Sequence, residues 1–389
     1  MSRFLLGINY WPRRSAMYMW QRFDLGEISE DMARIKMLGF DVVRFFLMWE
    51  AFQPEPTAMD AAALRRFDAV MDTIAGAGLQ AMPTLFCGHM SGVNWLPAWT
   101  LEPHTGESRF RTISRDRVAE GTIGDFYGDP TLLQAQLLFA RRVGERASEH
   151  PALLAWDLGN EFSNLRQPQT PQEAARWSLQ LTEALRDASG AGSTAGMHGE
   201  DLDKDRNLRP SSIAQPWSFA TMHGYSVYSG FARDRLDTNV VPFLCQLQQS
   251  FSGKRVLFSE FGNPECPPGS RRVNGFACLD ENEMAQYGKG AIDRLHARGA
   301  LGAFWWCWAD YDLALATLPP FDRAPHELRF GIVRSDGTEK PVAHMLSQFA
   351  GEARVVTDAP PPIAHEAQHY AGLPQSIERE YREYCEHYA

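Results

Sequence analysis

The chain has 389 residues, a formal charge of −10 and 44% hydrophobic residues. That length admits one large domain or two ordinary ones, and the apolar share is ample for a buried core. The acidic balance excludes a general nucleic-acid binder, which needs a basic face, and no stretch approaches the ~20 apolar residues of a membrane span.

The N-terminus reads Met-Ser-Arg-Phe-Leu-Leu-Gly-Ile-Asn-Tyr, with one basic residue and a short apolar run before patterned sequence begins. A secretory leader needs a longer apolar region and a small-residue cleavage site. The six cysteines are scattered without CxxC spacing. The reading is therefore a cytoplasmic protein with free, mostly buried thiols, a single Cys266–Cys278 bridge being the alternative.

Eight short apolar runs follow one another: Phe4–Pro12, Val42–Trp49, Gln80–Cys87, Leu153–Glu161, Thr194–Glu200, Ala220–Tyr228, Val256–Gly262 and Gly302–Asp310. Helical periodicity fills several of the gaps. Ile28, Met32, Ile35 and Leu38 share one face before Gly39, a stop signal, and Leu64, Phe67, Met71 and Ile74 share another. Thr131–Ala147, Pro171–Ala188 and Glu283–Ala297 also read as helices. Strands alternating with helices predict βα units and a parallel sheet, and eight of them predict a closed (β/α)8 barrel over residues 1–350. A doubly wound sheet is the alternative, but no GxGxxG or phosphate loop follows the first strand. Two long segments, 88–129 and 309–331, leave the C-terminal ends of strands, where barrel sites form. The second contains Tyr311, Phe321, His326 and Glu327. After Pro360-Pro361-Pro362 a polar helical tail completes an extension, 351–389, read as a docked arm or a homo-oligomer contact.

Two apolar strands end in glutamate: Leu153–Glu161 in Asn160-Glu161, and Val256–Gly262 in Ser-Glu260-Phe. A carboxylate closing an apolar strand is costly unless it faces a polar cleft. On the fourth and seventh strands of a barrel, two such groups could stand ~5 Å apart, the separation used in retaining glycoside hydrolysis.

These residues resemble the clan-A glycoside hydrolases, and within them glycoside hydrolase family 5. The resemblance implies Glu161 as acid/base and Glu260 as nucleophile. It implies Arg44, in Val-Val-Arg-Phe-Phe, as the arginine holding the nucleophile, His89 as a sugar contact, and Asn160 as a donor to the sugar 2-hydroxyl. His223-Gly-Tyr225 resembles the His-x-Tyr whose tyrosine bonds the nucleophile. Trp306 and Trp308 fall near the tryptophan that floors the catalytic subsite. The opening Gly-Ile-Asn-Tyr-Trp-Pro and the segment Gly88–Trp95, including Trp95, resemble the β-mannosidase-like branch.

Competing readings exist. Arg44 could neutralise buried acids, alone or in addition. Glu50 could bind sugar or pair with Arg44 or Arg13, and Glu200 is the best competing acid. His198 and Glu200 lack a third partner at recognisable spacing, so no metal and no cofactor is expected. Five of the 11 tryptophans (Trp49, Trp95, Trp99, Trp306 and Trp308) are expected at the cleft, with Trp156 and Trp305 in the core. The substrate expected is a neutral β-linked oligosaccharide, and few cations near the strand ends argue against a uronic acid. A terminal β-mannosidase is the first reading, an endo-β-mannanase or β-glucosidase the second, and a non-catalytic sugar-binding barrel the third.

Overall fold

The computed structural model describes residues 2–103 and 108–388. All eight expected strands form: β1 (Leu5–Tyr10), β2 (Val42–Phe46), β3 (Gln80–Thr84), β4 (Trp156–Asn160), β5 (Ser193–Gly196), β6 (Ala220–His223), β7 (Val256–Phe261) and β8 (Gly302–Trp305). They pair in parallel in the order β5-β4-β3-β2-β1-β8-β7-β6. Ser218 N donating to Ser193 O (2.9 Å) and His223 N to Met197 O (2.8 Å) close the ring between β5 and β6. The fold is a (β/α)8 barrel.

The helices that cover it are α1 (Leu25–Met37), α2 (Ala61–Gly76), α3 (Pro130–Arg146), α4 (Pro171–Ser189), α5 (Val240–Ser252), α6 (Glu281–Ala297) and α7 (Pro341–Gly351). Only two short helical turns, Glu200–Asp203 and Pro210–Ile213, lie between β5 and β6. Helices α1, α2 and α6 begin two or three residues before the apolar periodicity. Asp24, Asp60 and Asp280 cap first turns that carry few large apolar side chains.

Inside the barrel, Val42, Met82, Leu257 and Phe304 form an apolar plug. Gly7 makes room for it, since a Cβ there would fall 2.1 Å from the Phe304 ring. Two residues further along their strands come Asn9, Arg44, Thr84 and Ser259, all fully buried. Period-two alternation thus stacks a polar layer on the plug, at the C-terminal end of the barrel.

The segment after β3 is a folded excursion. His89–Met90, Val93–Trp95, Arg111–Ser114 and Arg117–Ala119 make a small sheet, and Leu101–Glu102 pairs with Thr122–Ile123. The extension after Gly351 first pairs beside the N-terminus, with Phe4 N donating to Arg354 O and Val356 N to Ser2 O (both 2.9 Å). Its helices α8 (Glu366–Ala371) and α9 (Gln375–Tyr388) then lie on α5, where Phe243 meets Tyr381 and Tyr384, and Phe251 meets His369. Tyr370 Oη donates to Asp201 O at 2.8 Å, tying the arm to the segment after β5.

Cys266 and Cys278 are bridged, which corrects the free-thiol reading for that pair. Cys87, Cys245, Cys307 and Cys385 are free and buried. Disulfides persist mainly in oxidising compartments, so the bridge removes the cysteine support for a cytoplasmic setting. Among the described residues no helix is long and apolar enough to cross a membrane.

Candidate functional site

The strand ends carrying Asn160, His223 and Glu260 are irregular. The ladder registers shift between Asp157 and Asn160 in β4, Thr221 and His223 in β6, and Phe258 and Phe261 in β7. Bulges of this kind re-aim side chains at barrel rims. Glu161 itself has φ 46°, a left-handed conformation that a non-glycine residue adopts at a cost of about 1–3 kcal/mol. Together these turn Glu161, His223 and Glu260 toward one point, with a donor atom from each lying within 4.8 Å of the others.

Arg44 organises the floor. Its Nη1 donates to Asn9 Oδ1 (2.9 Å) and Glu260 Oε2 (3.0 Å), its Nη2 to Asp157 Oδ2 (2.7 Å) and Asn160 Oδ1 (2.8 Å), and its Nε to Asp157 Oδ2 (2.9 Å). Both readings of Arg44 therefore hold: it neutralises a buried acid and grips Glu260. Burial opposes its charge, but Asp157 and Glu260 outweigh that and raise its pKa. Gly196 permits this packing, because a Cβ there would lie 2.5 Å from Gly159 O and 3.2 Å from Arg44 Nη2. Tyr225 Oη donates to Glu260 Oε1 in a short hydrogen bond.

Three imidazoles surround Glu161. His223 Nδ1 lies 3.2 Å from Oε1, with His198 Nδ1 at 3.7 Å and His89 Nε2 at 3.9 Å from Oε2. Burial pushes the Glu161 carboxyl up; His198 and His223 pull it down harder and hold it below the usual carboxylate range. Burial drives the His89 pKa down to about 4. His89 Nδ1 meets Asn94 Oδ1 at 2.7 Å, and its ring lies tilted against Phe110, with centroids 4.5 Å apart.

These groups line a cavity of about 510 Å³ with Asn160, Tyr225, Tyr228, Phe276, Trp306, Glu327 and Phe330. The excursion after β3 walls it by clasping other loops. Arg109 forms a fork with Glu200 after β5 (2.5 and 2.6 Å), and Arg111 with Asp322 after β8 (2.8 and 2.6 Å). Ser114 Oγ and Arg115 N donate to Glu50 after β2 (2.9 and 2.7 Å).

The structure gathers Glu161, Glu260, Arg44, His89, Asn160, His223, Tyr225 and Trp306. It does not gather Trp95 or Trp308. Trp95 is buried edge-on to Tyr18, with Nε1 donating to Met90 O (3.4 Å). Trp308 is buried under the Arg34 guanidinium at 5.5 Å. β8 ends at Trp305, so the alternation expected to place Trp306 and Trp308 on one face does not reach them. Trp49 and Trp99 pack edge-on with each other at 5.4 Å, away from the cavity. Of the five tryptophans expected at the cleft, one lines it, and Phe110, Tyr225, Tyr228, Phe231, Phe276 and Phe330 supply the remaining aromatic surface. Glu50 neither faces the cavity nor meets Arg44. Glu200, although buried enough to raise its pKa, is held well below the carboxylate range by Arg109, Lys204 and Arg206 and stays ionised. Asn160 spends one amide proton on His89 O (2.8 Å).

Sequence reasoning missed Asn9 and Asp157, the other two buried partners of Arg44. Their signal was a polar residue inside an otherwise apolar strand. It also missed His198 as a neighbour of Glu161, and Tyr228, Phe276 and Phe110 as wall residues.

Comparison with known proteins agrees with this fold. The β-galactosidase model of glycoside hydrolase family 42 matches residues 17–186. An exo-β-1,4-mannosidase, Op5Man5 from Opitutaceae bacterium strain TAV5, superposes with a TM-score of 0.74 at 27% identity, over 90% of this chain and 60% of that one. The chain thus spans about 60% of that protein's length. The chain shares the (β/α)8 barrel fold of these glycoside hydrolases. GH5_18 proteins from Streptomyces cattleya and Bifidobacterium longum, both in complex with Manβ1-4GlcNAc, superpose on this barrel with TM-scores of 0.76 and 0.75. Their identities are 22% and 21%, over 97% and 92% of this chain and 88% and 80% of theirs. No curated protein sequence matches.

Proposed function

We propose that the protein is a retaining, exo-acting β-glycosidase that removes terminal β-mannosyl residues from neutral oligosaccharides by double displacement. The observation that carries this reading is a carboxylate pair, Glu161 and Glu260, within 4.8 Å at the floor of a cavity whose rim loops are clasped together. That spacing suits a covalent intermediate and leaves no room for the water an inverting enzyme places between its acids. Glu260, gripped by Arg44 and Tyr225, is the nucleophile, and Glu161 the acid/base. For the first step Glu161 must take up a proton against the histidines that favour its carboxylate, and that same stabilisation suits the base required by the second. A walled cavity admits a chain end better than a chain middle, which favours exo action. The mannoside assignment draws on Op5Man5 and the GH5_18 complexes. The family 42 match makes a β-galactoside the second reading.

Aryl β-mannoside, β-glucoside and β-galactoside should be compared, with the first turned over fastest. Cleaving internal bonds of a long mannan faster than mannobiose would overturn the exo reading, and an inverted first-formed anomer by NMR would overturn retention. Glu161, His223 and Glu260 could as donors accept a cation, but the Arg44 guanidinium already supplies positive charge at Glu260. Activity should accordingly survive a chelator.

Glu161→Ala should act according to leaving group. With a phenol acidic enough to leave unaided, kcat/KM should change little while kcat falls, because the second step loses its base. With a sugar leaving group, kcat/KM should fall by roughly 10²–10⁴-fold. Equal losses with both would contradict the acid/base role.

A further inference from the structure

A third carboxyl, Glu327, stands on the cavity wall, 9% exposed, and the double displacement makes no use of it. Its Oε2 accepts from Ser91 Oγ at 3.0 Å, while Tyr228 Oη and His326 Nε2 stand 3.5 and 3.4 Å from Oε1. A carboxylate offers about four lone-pair positions, so one contact of normal length leaves most of its capacity unused. Among the described residues no lysine or arginine pairs with it. The charged groups facing it are Glu260 and Glu161, which repel its charge. His326 is no substitute cation, because burial lowers its pKa to about 4, and the Tyr228 hydroxyl stays neutral, since desolvation at its hydroxyl end and the nearby Glu327 raise its pKa. Burial, reinforced by the two glutamates, pushes Glu327 up to about 7.

Beside this carboxyl lies an aromatic wall. Phe276 meets Tyr228 edge-on at 5.1 Å and His326 at 4.7 Å. Tyr228 and Phe276 are 42% and 37% exposed, high for large rings on a folded protein. Phe276 sits on the hairpin Arg272–Val273/Phe276–Ala277, which the Cys266–Cys278 bridge encloses. An under-coordinated carboxyl next to exposed ring faces matches a pyranose, which offers hydroxyl donors on its rim and C–H groups on its faces.

We infer that Glu327, with Ser91, Tyr228 and Phe276, forms a hydroxyl-binding subsite in which the carboxylate accepts hydrogen bonds from a sugar while the two rings pack against it. The inference rests on the proposed function only for the choice of sugar. Hydroxyl donation favours the ionised form, so occupancy releases a proton, and affinity rises as pH rises through about 7.

The test is titration calorimetry of β-1,4-mannobiose, cellobiose and lactose into the full-length protein carrying Glu260→Gln, at about pH 6 and about pH 8. Affinity for the sugar that binds should rise several-fold between them, by less than about tenfold because Glu260→Gln removes one of the two charges that raise the Glu327 pKa. Adding Glu327→Gln should weaken binding about tenfold at the higher pH and flatten the pH dependence, and Glu327→Ala should do the same. Repeating the titration in buffers of different ionisation enthalpy should show proton release that Glu327→Gln abolishes. Unchanged affinity and unchanged pH dependence in both Glu327 variants would overturn the subsite, as would no binding of any of the three sugars. Wild-type activity surviving Glu260→Ala would instead overturn the nucleophile assignment and leave the binding result for Glu327 standing.

Discussion

Glu260→Ala is expected to lower turnover of an aryl β-mannoside by roughly 10⁴-fold or more, the scale seen when a covalent nucleophile is removed. The substitution leaves a small void between Arg44 and Tyr225, at the end of β7. Azide can enter such a void and attack the anomeric carbon from the face Glu260 would have used. Azide should therefore restore turnover and yield a glycosyl azide of inverted configuration. Glu161, untouched on the opposite face, still assists departure of the leaving group. Undiminished activity in Glu260→Ala would remove the nucleophile assignment. Loss of activity with no rescue, alongside an unchanged fold by circular dichroism, would point to a role in binding.

The second large effect is on stability. Arg44 is fully buried and donates to Asp157, Glu260, Asn9 and Asn160. Arg44→Met keeps much of the volume but strands the Asp157 carboxylate, also fully buried, with only Thr84 Oγ1 donating to it at normal length (2.9 Å). Breaking one side of a buried ion pair typically costs about 3–5 kcal/mol, and that loss should appear in the denaturant midpoint. A buried carboxylate robbed of its cation binds a proton more tightly folded than unfolded. The variant should therefore regain stability as pH falls, and lose it as pH rises. Arg44→Lys should recover only part, because an ammonium lacks the fork that meets Asp157 and Glu260 together. A stability loss below about 1 kcal/mol in Arg44→Met would show that the network is not held as described.

Helices α5 and α7 were not anticipated. In α5, 11 of 13 residues are buried, and a helix buried on most sides carries little amphipathic signal. Helix α7 is short, which leaves few turns in which a periodicity can show. The excursion after β3 read as a loop because its strands are two to four residues long, too short for alternation to register.

The eight strands and the two glutamates that end β4 and β7 were legible because both are local properties. Apolar runs mark strands buried on two faces, and a carboxylate closing such a run stands out against them. The Arg44 layer could be anticipated in the same way, since β2 keeps its period-two alternation as far as that residue. Past the strand ends this regularity stops. The bulges in β4, β6 and β7 and the left-handed Glu161 decide which side chains converge. They turn Glu161, His223 and Glu260 together, while the end of β8 at Trp305 leaves Trp306 in the cavity and Trp308 out of it. The cavity wall depends on contacts between segments far apart in the chain, Arg111 with Asp322 and Ser91 with Glu327 among them. No periodicity encodes such pairings. They follow from where a closed barrel places the ends of its strands, and tertiary structure alone decides them.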